Sequence, residues 1–343
     1  MRGLLLLLLP WVLAAGVFRT DLRPENIKGD RIGSIRILDQ RELLYGKIAG
    51  RQFSEISDLA YLKKHRWLFM ISDEGELFRF KARFDARKIL ELTPMDADLL
   101  RKKSGKKLKK RRRDSEGLTL DERGRLYLSF EGKPRVARIA YDGRIFSYLK
   151  LPSAIDRAKK MWRRNKGLEA LAWHPRYGLL TAPEYPVKGA SRELQTIYAL
   201  SGKRWSYGRG KEPNSAITAL EVLDNGNLLI LERSYAGLNR PVVVTLRELE
   251  LDRCGGRRLC STRVLARLDS SKGWAVENFE GLAKVGPDHF LMISDDNDNF
   301  FQRTILVYFE VTSNVLRVYR RGKIYQKRKI FHLPSLPLPV FGQ

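Results

Sequence analysis

The sequence has few of the residues on which common catalytic and metal sites depend. Its 343 residues include two cysteines and four histidines. Two thiols without nearby histidines make a poor zinc site. The chain also has no Gly-x-Ser-x-Gly nucleophile elbow and no glycine-rich phosphate loop. These absences argue against a zinc enzyme, a serine hydrolase and a phosphate-loop protein.

Long apolar runs are also missing beyond the first eighteen residues, so no later stretch could cross a membrane. The apolar run Leu4–Leu9 follows a basic residue and precedes small residues from Ala14 to Gly16. This pattern predicts a signal peptide over residues 1–16, cleaved near Ala14 to Gly16, and a periplasmic or secreted protein. An uncleaved membrane anchor is the alternative, although the stretch is shorter than the roughly 20 residues that a spanning helix needs.

Acidic residues are outnumbered, with 39 Asp and Glu against 65 Lys and Arg and a formal net charge of +26. The most basic segment is 101–113, where ten of thirteen residues are Lys or Arg. Predicted export and the lack of interleaved aromatic residues argue against nucleic acid as its partner. An anionic membrane surface fits an envelope protein better. A solvated loop without a partner is the alternative.

The two cysteines, Cys254 and Cys260, flank a short stretch that includes Gly255 and Gly256 and has the composition of a loop. In an oxidising compartment, such a pair can close a small disulfide. Given the signal peptide, we predict this disulfide. Two unrelated free thiols are the alternative.

Five segments of the chain repeat one pattern. Each opens with a polar and usually acidic residue, contains two short apolar runs around a turn, and closes with an acid. The segments are Asp58–Asp73, Glu116–Glu131, Glu169–Glu184, Thr218–Glu232 and Glu280–Asp295. The interval is fifteen residues in four copies and fourteen in the copy that starts at Thr218. Central turn residues such as Asn225-Gly226 predict that each copy is a β-hairpin.

A third run rich in β-branched or aromatic residues follows most hairpins. These runs are 135–139, 195–198, 241–245 and 304–309. Blades of three or four strands at a spacing of 49 to 62 residues are typical of a β-propeller. We therefore expect an all-β fold, a single propeller domain over residues 17–343, with segment 101–113 between two blades. We favour six blades over five or seven and expect a monomer. The strands expected to close the ring are 34–38, 42–45, 315–318 and 329–331.

The acids that open and close the hairpins should meet at one mouth of the propeller channel. The first and last residues of a two-strand hairpin lie side by side, opposite the turn. With the opening strand innermost, nine carboxylates, including Asp58 and Asp73, would gather there. Carboxylate oxygens suit Ca²⁺, so we expect a calcium site. The expected metal ligands are Glu116, Glu131, Glu169, Glu184, Glu232, Glu280, Asp295 and Asp296. Alternatively, these acids only cap strands and pair with nearby Lys and Arg.

The same stretches resemble the phytase-like family, known for an esterase-like activity of phytase. The matching segments are 116–118, 167–172, 231–235, 278–283, 293–297 and 302–304. The resemblance implies a β-propeller, export, and calcium-dependent action on phosphate esters. The acids at positions 116, 169, 232, 280, 295 and 296 carry over from it as a site whose use the resemblance does not specify. The chain lacks the aspartate-rich signature by which alkaline propeller phytases hold calcium and phosphate. Phytate itself is therefore not the expected substrate.

These observations predict an exported, metal-dependent phosphoric-ester hydrolase of the cell envelope. Its substrate would be an anionic small molecule or phosphate ester. The expected catalytic residues are Glu280, Asp295 and Glu169. The expected phosphate-binding residues are Arg233, Arg303 and Lys133. The alternative is a propeller without catalytic activity that binds an anionic lipid, a glycan or a protein partner.

Overall fold

The structure is a computed structural model. It describes residues 16–162, 167–237, 240–252, 254 and 259–312, with the strands 315–320 and 323–328. The predicted signal peptide lies outside the described residues up to Ala15. Strands dominate the fold, and the described helical turns are short 3₁₀ helices. These are Lys110–Arg112, Ala158–Lys160 and Ser270–Lys272. In the described part of the chain, no helix is long and apolar enough to span a membrane.

Five strands precede the first repeat. They are β1 (Gly16–Arg19), β2 (Arg31–Ile32), β3 (Ile35–Leu44), β4 (Lys47–Ile48) and β5 (Arg51–Gln52). Both β1 and β2 pair with β3, and β4 pairs with β5. All these pairs are antiparallel.

The first four repeats each form a four-stranded antiparallel sheet, which is one blade. Blade one has β6 (Ile56–Leu62), β7 (Trp67–Ser72), β8 (Glu76–Phe84) and β9 (Ile89–Leu99). Blade two has β10 (Ser115–Leu120), β11 (Leu126–Phe130), β12 (Arg135–Ile139) and β13 (Ile145–Leu149). Blade three has β14 (Leu168–His174), β15 (Gly178–Pro183), β16 (Leu194–Ala199) and β17 (Arg204–Gly208). Blade four has β18 (Ala216–Val222), β19 (Leu228–Ser234), β20 (Val243–Leu249) and β21 (Thr262–Asp269).

The fifth blade is completed by a strand from the start of the chain. It has β22 (Asn278–Gly286), β23 (His289–Asp295) and β24 (Ile305–Val311), and β3 pairs antiparallel with β24. The first strand of each blade contacts the first strand of the next, and β22 contacts β6, so the ring is closed. The predicted all-β propeller is therefore confirmed.

The predicted number of six blades is wrong, because the described residues form five. The two strands expected at 34–38 and 42–45 lie within the single strand β3, which completes blade five instead of starting a sixth. The strand expected at 315–318 lies in β25 (Val315–Arg320), which pairs with β26 (Lys323–Arg328) in a separate unit. The strand expected at 329–331 falls outside the described residues.

Apolar side chains pack in five clusters, one between each pair of neighbouring blades. Successive side chains of a strand point to opposite faces of its sheet. In β7, Leu68 and Met70 accordingly pack towards blade five, whereas Phe69 and Ile71 pack towards blade two. Both faces of each blade are buried, and this explains the nearly continuous apolar runs of the repeats.

Cys254 and Cys260 form a disulfide, which confirms that prediction. The pair lies in the connection between β20 and β21. Cys260 packs in the apolar cluster between blades three and four, and its N–H donates to the backbone oxygen of Ser206 (2.8 Å). The disulfide therefore holds this connection against blade three.

Candidate functional site: an acid cluster at one mouth of the channel

Each innermost strand carries a β-bulge where the repeat opens. The bulged positions are Ser57, Glu116, Glu169, Thr218 and Glu280. A bulge breaks the regular alternation of a strand and redirects a side chain, and bulges recur beside functional sites. In three of the five blades, the bulge thus sets the direction of a glutamate near one mouth of the channel.

Strand pairing also identifies the residue that closes each hairpin. These residues are Asp73, Glu131, Glu184, Arg233 and Asp295. Blade one therefore opens at Ser57, with Asp58 one residue further along the strand. Blade four closes at Arg233, with Glu232 one residue earlier. The ring of closing residues consequently contains one base among four acids.

Two glycines that follow bulged glutamates let neighbouring inner strands approach closely. A Cβ on Gly117 would lie 2.5 Å from the backbone nitrogen of Leu171, and one on Gly281 would lie 2.7 Å from Cα of Asp58. Neither distance accommodates a side chain, and glycine is the residue that permits such an approach. The Glu-Gly pairs of the sequence therefore reflect tight packing of the innermost strands at the level of the acids.

Seven carboxyl groups from four blades gather at this end of the channel, and we call them the acid cluster. They are Asp73, Glu116, Glu131, Glu169, Glu184, Glu280 and Asp295. Electrostatic repulsion links Glu116 to acids of three other blades, including Asp73 and Glu280. Most of these side chains are buried, so water screens their charges only weakly.

Two triads bring carboxylate oxygens together in and beside the acid cluster. The oxygens of Asp114, Glu116 and Glu131 lie within 4.8 Å of one another, and so do those of Glu131, Glu169 and Glu184. Glu131 belongs to both triads. Three carboxylates at such distances could hold a metal ion, and oxygen ligands suit hard cations such as Ca²⁺.

Arg233 places a positive charge inside the acid cluster. Its guanidinium donates a hydrogen bond to Glu280 and lies 3.9 Å from Glu184. Burial lowers the pKa of Arg233, but the attraction of Glu280 and Glu184 outweighs it and the pKa is raised. Arg233 therefore stays charged within the acid cluster.

Burial and the charges of neighbouring acids raise the pKa values of several members of the acid cluster. Burial and the charge of Glu280 raise the pKa of Asp73 to about 8. Burial and the charges of Glu280 and Asp73 raise the pKa of Asp295 to about 9. Burial and the charge of Asp73 raise the pKa of Glu116 well above its ordinary value. These carboxyl groups therefore keep protons at neutral pH unless a bound cation replaces them.

Asp58 lies deeper in the ring and is bound by backbone amides. Its carboxyl group accepts hydrogen bonds from the N–H groups of Leu59 (2.8 Å), Leu118 (2.7 Å) and Leu282 (2.9 Å). These amides belong to the innermost strands of blades one, two and five. Burial raises the pKa of Asp58 well above its ordinary value. Asp58 thus ties the first and last blades together and is not part of the acid cluster.

Two of the expected metal ligands lie outside the acid cluster. Glu232 accepts a hydrogen bond from Nε of Arg247 (2.6 Å). Asp296 accepts one from the N–H of Glu55 (2.9 Å) and one from the hydroxyl of Thr304 (2.9 Å). The other six expected ligands lie in the acid cluster. They are Glu116, Glu131, Glu169, Glu184, Glu280 and Asp295.

The three bases expected to bind phosphate are separated in the structure. Arg233 lies within the acid cluster. Lys133 is exposed in the turn that follows Glu131. Arg303 donates from Nε to Glu277 (2.7 Å) and is held away from the acid cluster by this pair. Of the three, Arg233 and Lys133 therefore lie nearest to the triads.

Two polar residues of the site, Asp114 and Asn278, were not predicted as site residues. They occupy equivalent positions in their repeats. Asp114 joins the first triad. Asn278 donates from Nδ2 to Glu280 (3.0 Å) and to Asp295 (3.3 Å). Each lies two residues before a bulged glutamate. Their shared position two residues before the repeated Glu-Gly pair is the signal that could have found both.

The opposite end of the channel, which we call the turn end, opens into a cavity of about 650 Å³ between the hairpin turns. Asp121 and Asp224, which line this cavity, each form an ion pair with a base. Burial tends to raise the pKa of Asp121, but hydrogen bonds from Arg125 hold this pKa below its ordinary value. The pKa of Asp224 is likewise lowered, because its hydrogen bond with Lys284 outweighs burial. Asp121 and Asp224 therefore differ from Asp73 and Asp295, although burial raises the pKa of Glu221, which lines the same cavity.

The fold and the site define a five-bladed propeller with an acidic mouth, and the sequence assigns it to a family. Residues 51–298, more than half of the chain, match the phytase-like family, described as "Esterase-like activity of phytase". The chain belongs to the phytase-like family. No curated protein matches it in sequence.

Solved propellers resemble the fold at a distance. The virginiamycin B lyase from Staphylococcus aureus is 8% identical with a TM-score of 0.40, over 86% of this chain and 99% of that one. The aldose sugar dehydrogenase from Streptomyces coelicolor, in its PQQ-bound form, is 11% identical with a TM-score of 0.37, over 81% and 98%. The Pan2 WD40 domain from Neurospora crassa is 7% identical with a TM-score of 0.34, over 76% and 90%. Similarities this distant say nothing about the activity of the protein.

Proposed function

We propose that the protein is a metal-dependent phosphoric-ester hydrolase that works at the acid cluster. Membership of the phytase-like family supports a hydrolase of the esterase type. The observation that carries the proposal is the pair of carboxylate triads that share Glu131. Carboxylates cannot bind an anionic phosphate by themselves, so a cation is needed between them and the substrate.

The donor set fits a hard cation, and Ca²⁺ is the candidate. Both triads, Asp114–Glu116–Glu131 and Glu131–Glu169–Glu184, offer only carboxylate oxygens. Ca²⁺ accepts six to eight oxygen ligands in flexible geometry, whereas zinc sites usually contain nitrogen or sulfur. When bound, the metal would polarise the phosphoryl oxygens and offset the negative charge of the triads.

Two further members of the acid cluster are suited to proton transfer. With a pKa of about 9, Asp295 is protonated at neutral pH and can give its proton to the leaving ester oxygen. Glu280, held by Arg233 and Asn278, would accept the proton of the attacking water. The water oxygen then forms the new bond to phosphorus, and the bond from phosphorus to the ester oxygen breaks. Asn278 contacts both acids and keeps them side by side.

The positive groups near the triads would hold the substrate phosphate. Lys133 is exposed directly after Glu131 and is free to turn towards an incoming ester. Arg233 is already engaged with Glu280 and Glu184, so its main contribution would be to stabilise the ionised carboxylates. We no longer assign Arg303 to this role, because Glu277 holds its guanidinium.

We also propose that the protein acts in the periplasm or outside the cell. The disulfide between Cys254 and Cys260 supports an oxidising compartment. The apolar start of the sequence supports export by a signal peptide.

A panel of phosphate monoesters and diesters, with added calcium or with chelator, tests the proposed activity. We expect hydrolysis that needs calcium and falls by about a hundredfold or more in Glu280→Gln and Asp295→Asn. Glu122→Gln is the matched control, since Glu122 is an exposed acid at the turn end. Background rates for every ester, in calcium and in chelator alike, would refute the proposal.

A further inference from the structure

The oxygen-rich run after β23 forms a tightly bonded loop, which we call the aromatic loop (residues 296–303). Asp296 anchors it to blade one by accepting the N–H of Glu55 (2.9 Å). Asn297 and Asp298 both have positive φ angles, of 49° and 46°. Asn299 accepts the N–H of Phe301 (3.0 Å). The polar side chains of this run therefore shape the loop itself.

The aromatic loop presents two adjacent phenylalanines to solvent. Phe300 is 94% exposed and Phe301 is 87% exposed, whereas the next most exposed large apolar side chains of the described residues reach 50%. Their rings lie 5.7 Å apart, edge to face. A single exposed apolar side chain is ordinary, but a pair this exposed at the tip of an anchored loop is typical of an interaction site.

The later part of the basic segment 101–113 lies near the aromatic loop, whereas its first residue, Arg101, pairs with the connection between β12 and β13. Lys110 forms an ion pair with Glu74 (2.8 Å), directly after Asp73 of the acid cluster. Glu55 interacts with Lys110 on one side and with Asp298 of the aromatic loop on the other. Leu108 packs in the apolar cluster between blades one and two and fixes the segment. Its exposed bases are Lys102, Lys103, Lys106, Lys107, Lys109, Lys110 and Arg112.

We infer that this face of the protein docks on an anionic lipid bilayer. Phe300 and Phe301 would enter the headgroup region, and the bases of segment 101–113 would lie along the charged surface. Lys and Arg beside apolar side chains are the combination by which proteins bind such interfaces, because each base adds electrostatic attraction to the burial of apolar area. The net charge of +26 favours the same partner.

The shape of the site favours a bilayer over a protein partner. The two phenyl rings project from a loop tip, and a convex tip needs a partner that can deform around it, as a lipid interface does. Nucleic acid would use the bases of segment 101–113 and leave Phe300 and Phe301 without a role. The inference is independent of the proposed hydrolysis, since it depends on surface residues outside the acid cluster.

Vesicle co-sedimentation tests the inference with the full chain. Wild-type protein should bind vesicles of phosphatidylcholine mixed with phosphatidylglycerol, bind pure phosphatidylcholine weakly, and lose binding as salt rises. Phe300→Ser/Phe301→Ser should lower binding by about tenfold or more at unchanged charge. The matched control is Leu90→Ser/Met95→Ser, which removes two partly exposed apolar side chains from β9 and should bind as wild type.

A second measurement reports the position of the loop tip directly. In Phe301→Trp, the added indole should shift its emission to shorter wavelength on mixing with anionic vesicles, relative to the same difference in wild type. Equal binding by the double serine variant and wild type would overturn the inference. An unchanged emission wavelength in Phe301→Trp on mixing with anionic vesicles would also overturn it. The same holds if wild-type protein binds neither kind of vesicle and binds only RNA.

Discussion

A comparison of the two ends of the channel shows how the surroundings of an aspartate set the pKa of its carboxyl group. At the turn end, Asp121 and Asp224 each have a base of their own and a lowered pKa. At the acid cluster, Asp73 and Asp295 face other acids, and their pKa values rise to about 8 and 9. The bases at the turn end favour the charged forms of Asp121 and Asp224, whereas burial and neighbouring acids favour the protonated forms of Asp73 and Asp295.

Asp58 lies between the two ends, and its removal should have the largest effect on stability. Asp58→Ala leaves the amides of Leu59, Leu118 and Leu282 without their acceptor. Each buried orphan amide costs about 1–3 kcal/mol, so we expect a loss on the order of 3–6 kcal/mol. Urea unfolding measures it. Glu116→Gln is the comparison and should cost far less, because Glu116 faces other acids. An unchanged midpoint for Asp58→Ala would show that it does not anchor the ring.

Removal of the base from the acid cluster should come next. Arg233→Met removes the guanidinium that contacts Glu280 and Glu184, and we expect a loss of about 3 kcal/mol in chelator. Calcium should restore part of this loss, because a bound cation replaces the missing charge. Lys284→Met removes the partner of Asp224 at the turn end and should cost about 1 kcal/mol, with or without calcium. If calcium changed the stability of both variants equally, the two ends would not differ in their dependence on a cation.

The dependence of stability on pH should reveal the acid cluster directly. The pKa values of Asp73 and Asp295 are higher in the folded protein than in the unfolded chain. Their contribution to stability is therefore complete at low pH and is lost as the pH rises towards 8 and 9. In chelator, we expect stability to fall by about 1.4 kcal/mol per pH unit for each group between pH 5 and its folded pKa. Thermal unfolding at pH 6 and pH 9 checks this slope. Calcium should flatten it, and a slope unchanged in Asp295→Asn would contradict the assignment.

The smallest expected effect concerns the two triads. Glu131→Gln alters the carboxylate shared by both, so we expect calcium affinity to fall by about tenfold or more. Glu122→Gln, at the turn end, should leave it unchanged. Isothermal titration calorimetry measures both. If neither variant nor wild type takes up calcium, the acid cluster is not a calcium site.

The repeat made most of the fold predictable, because its turns and apolar runs are local signals. The hairpins, the third strands and the ring architecture all follow from it. The number of blades does not, since nothing local distinguishes a strand that starts a sixth blade from β3, which pairs with β24 at the far end of the chain.

The site was predictable up to the register of the strands. In blade one, the hairpin opens at Ser57 and closes at Asp73, an interval of sixteen residues, so a fixed interval of fifteen selects Asp58 instead. In blade four, the shorter interval that ends at Glu232 was the sign that the closing position is Arg233. Both displaced acids have partners of their own, in backbone amides and in Arg247. Spacing cannot reveal such contacts.

The pairing of β3 with β24 has a consequence for how the chain is made. Residues 35–44 are synthesised long before their partner strand Ile305–Val311. Until then one edge of β3 is bare, and bare strand edges recruit other chains. A ribosome that stalls before residue 311 would therefore leave an incomplete ring that is prone to aggregate. Keeping the nascent chain unfolded until β24 has been synthesised would prevent this.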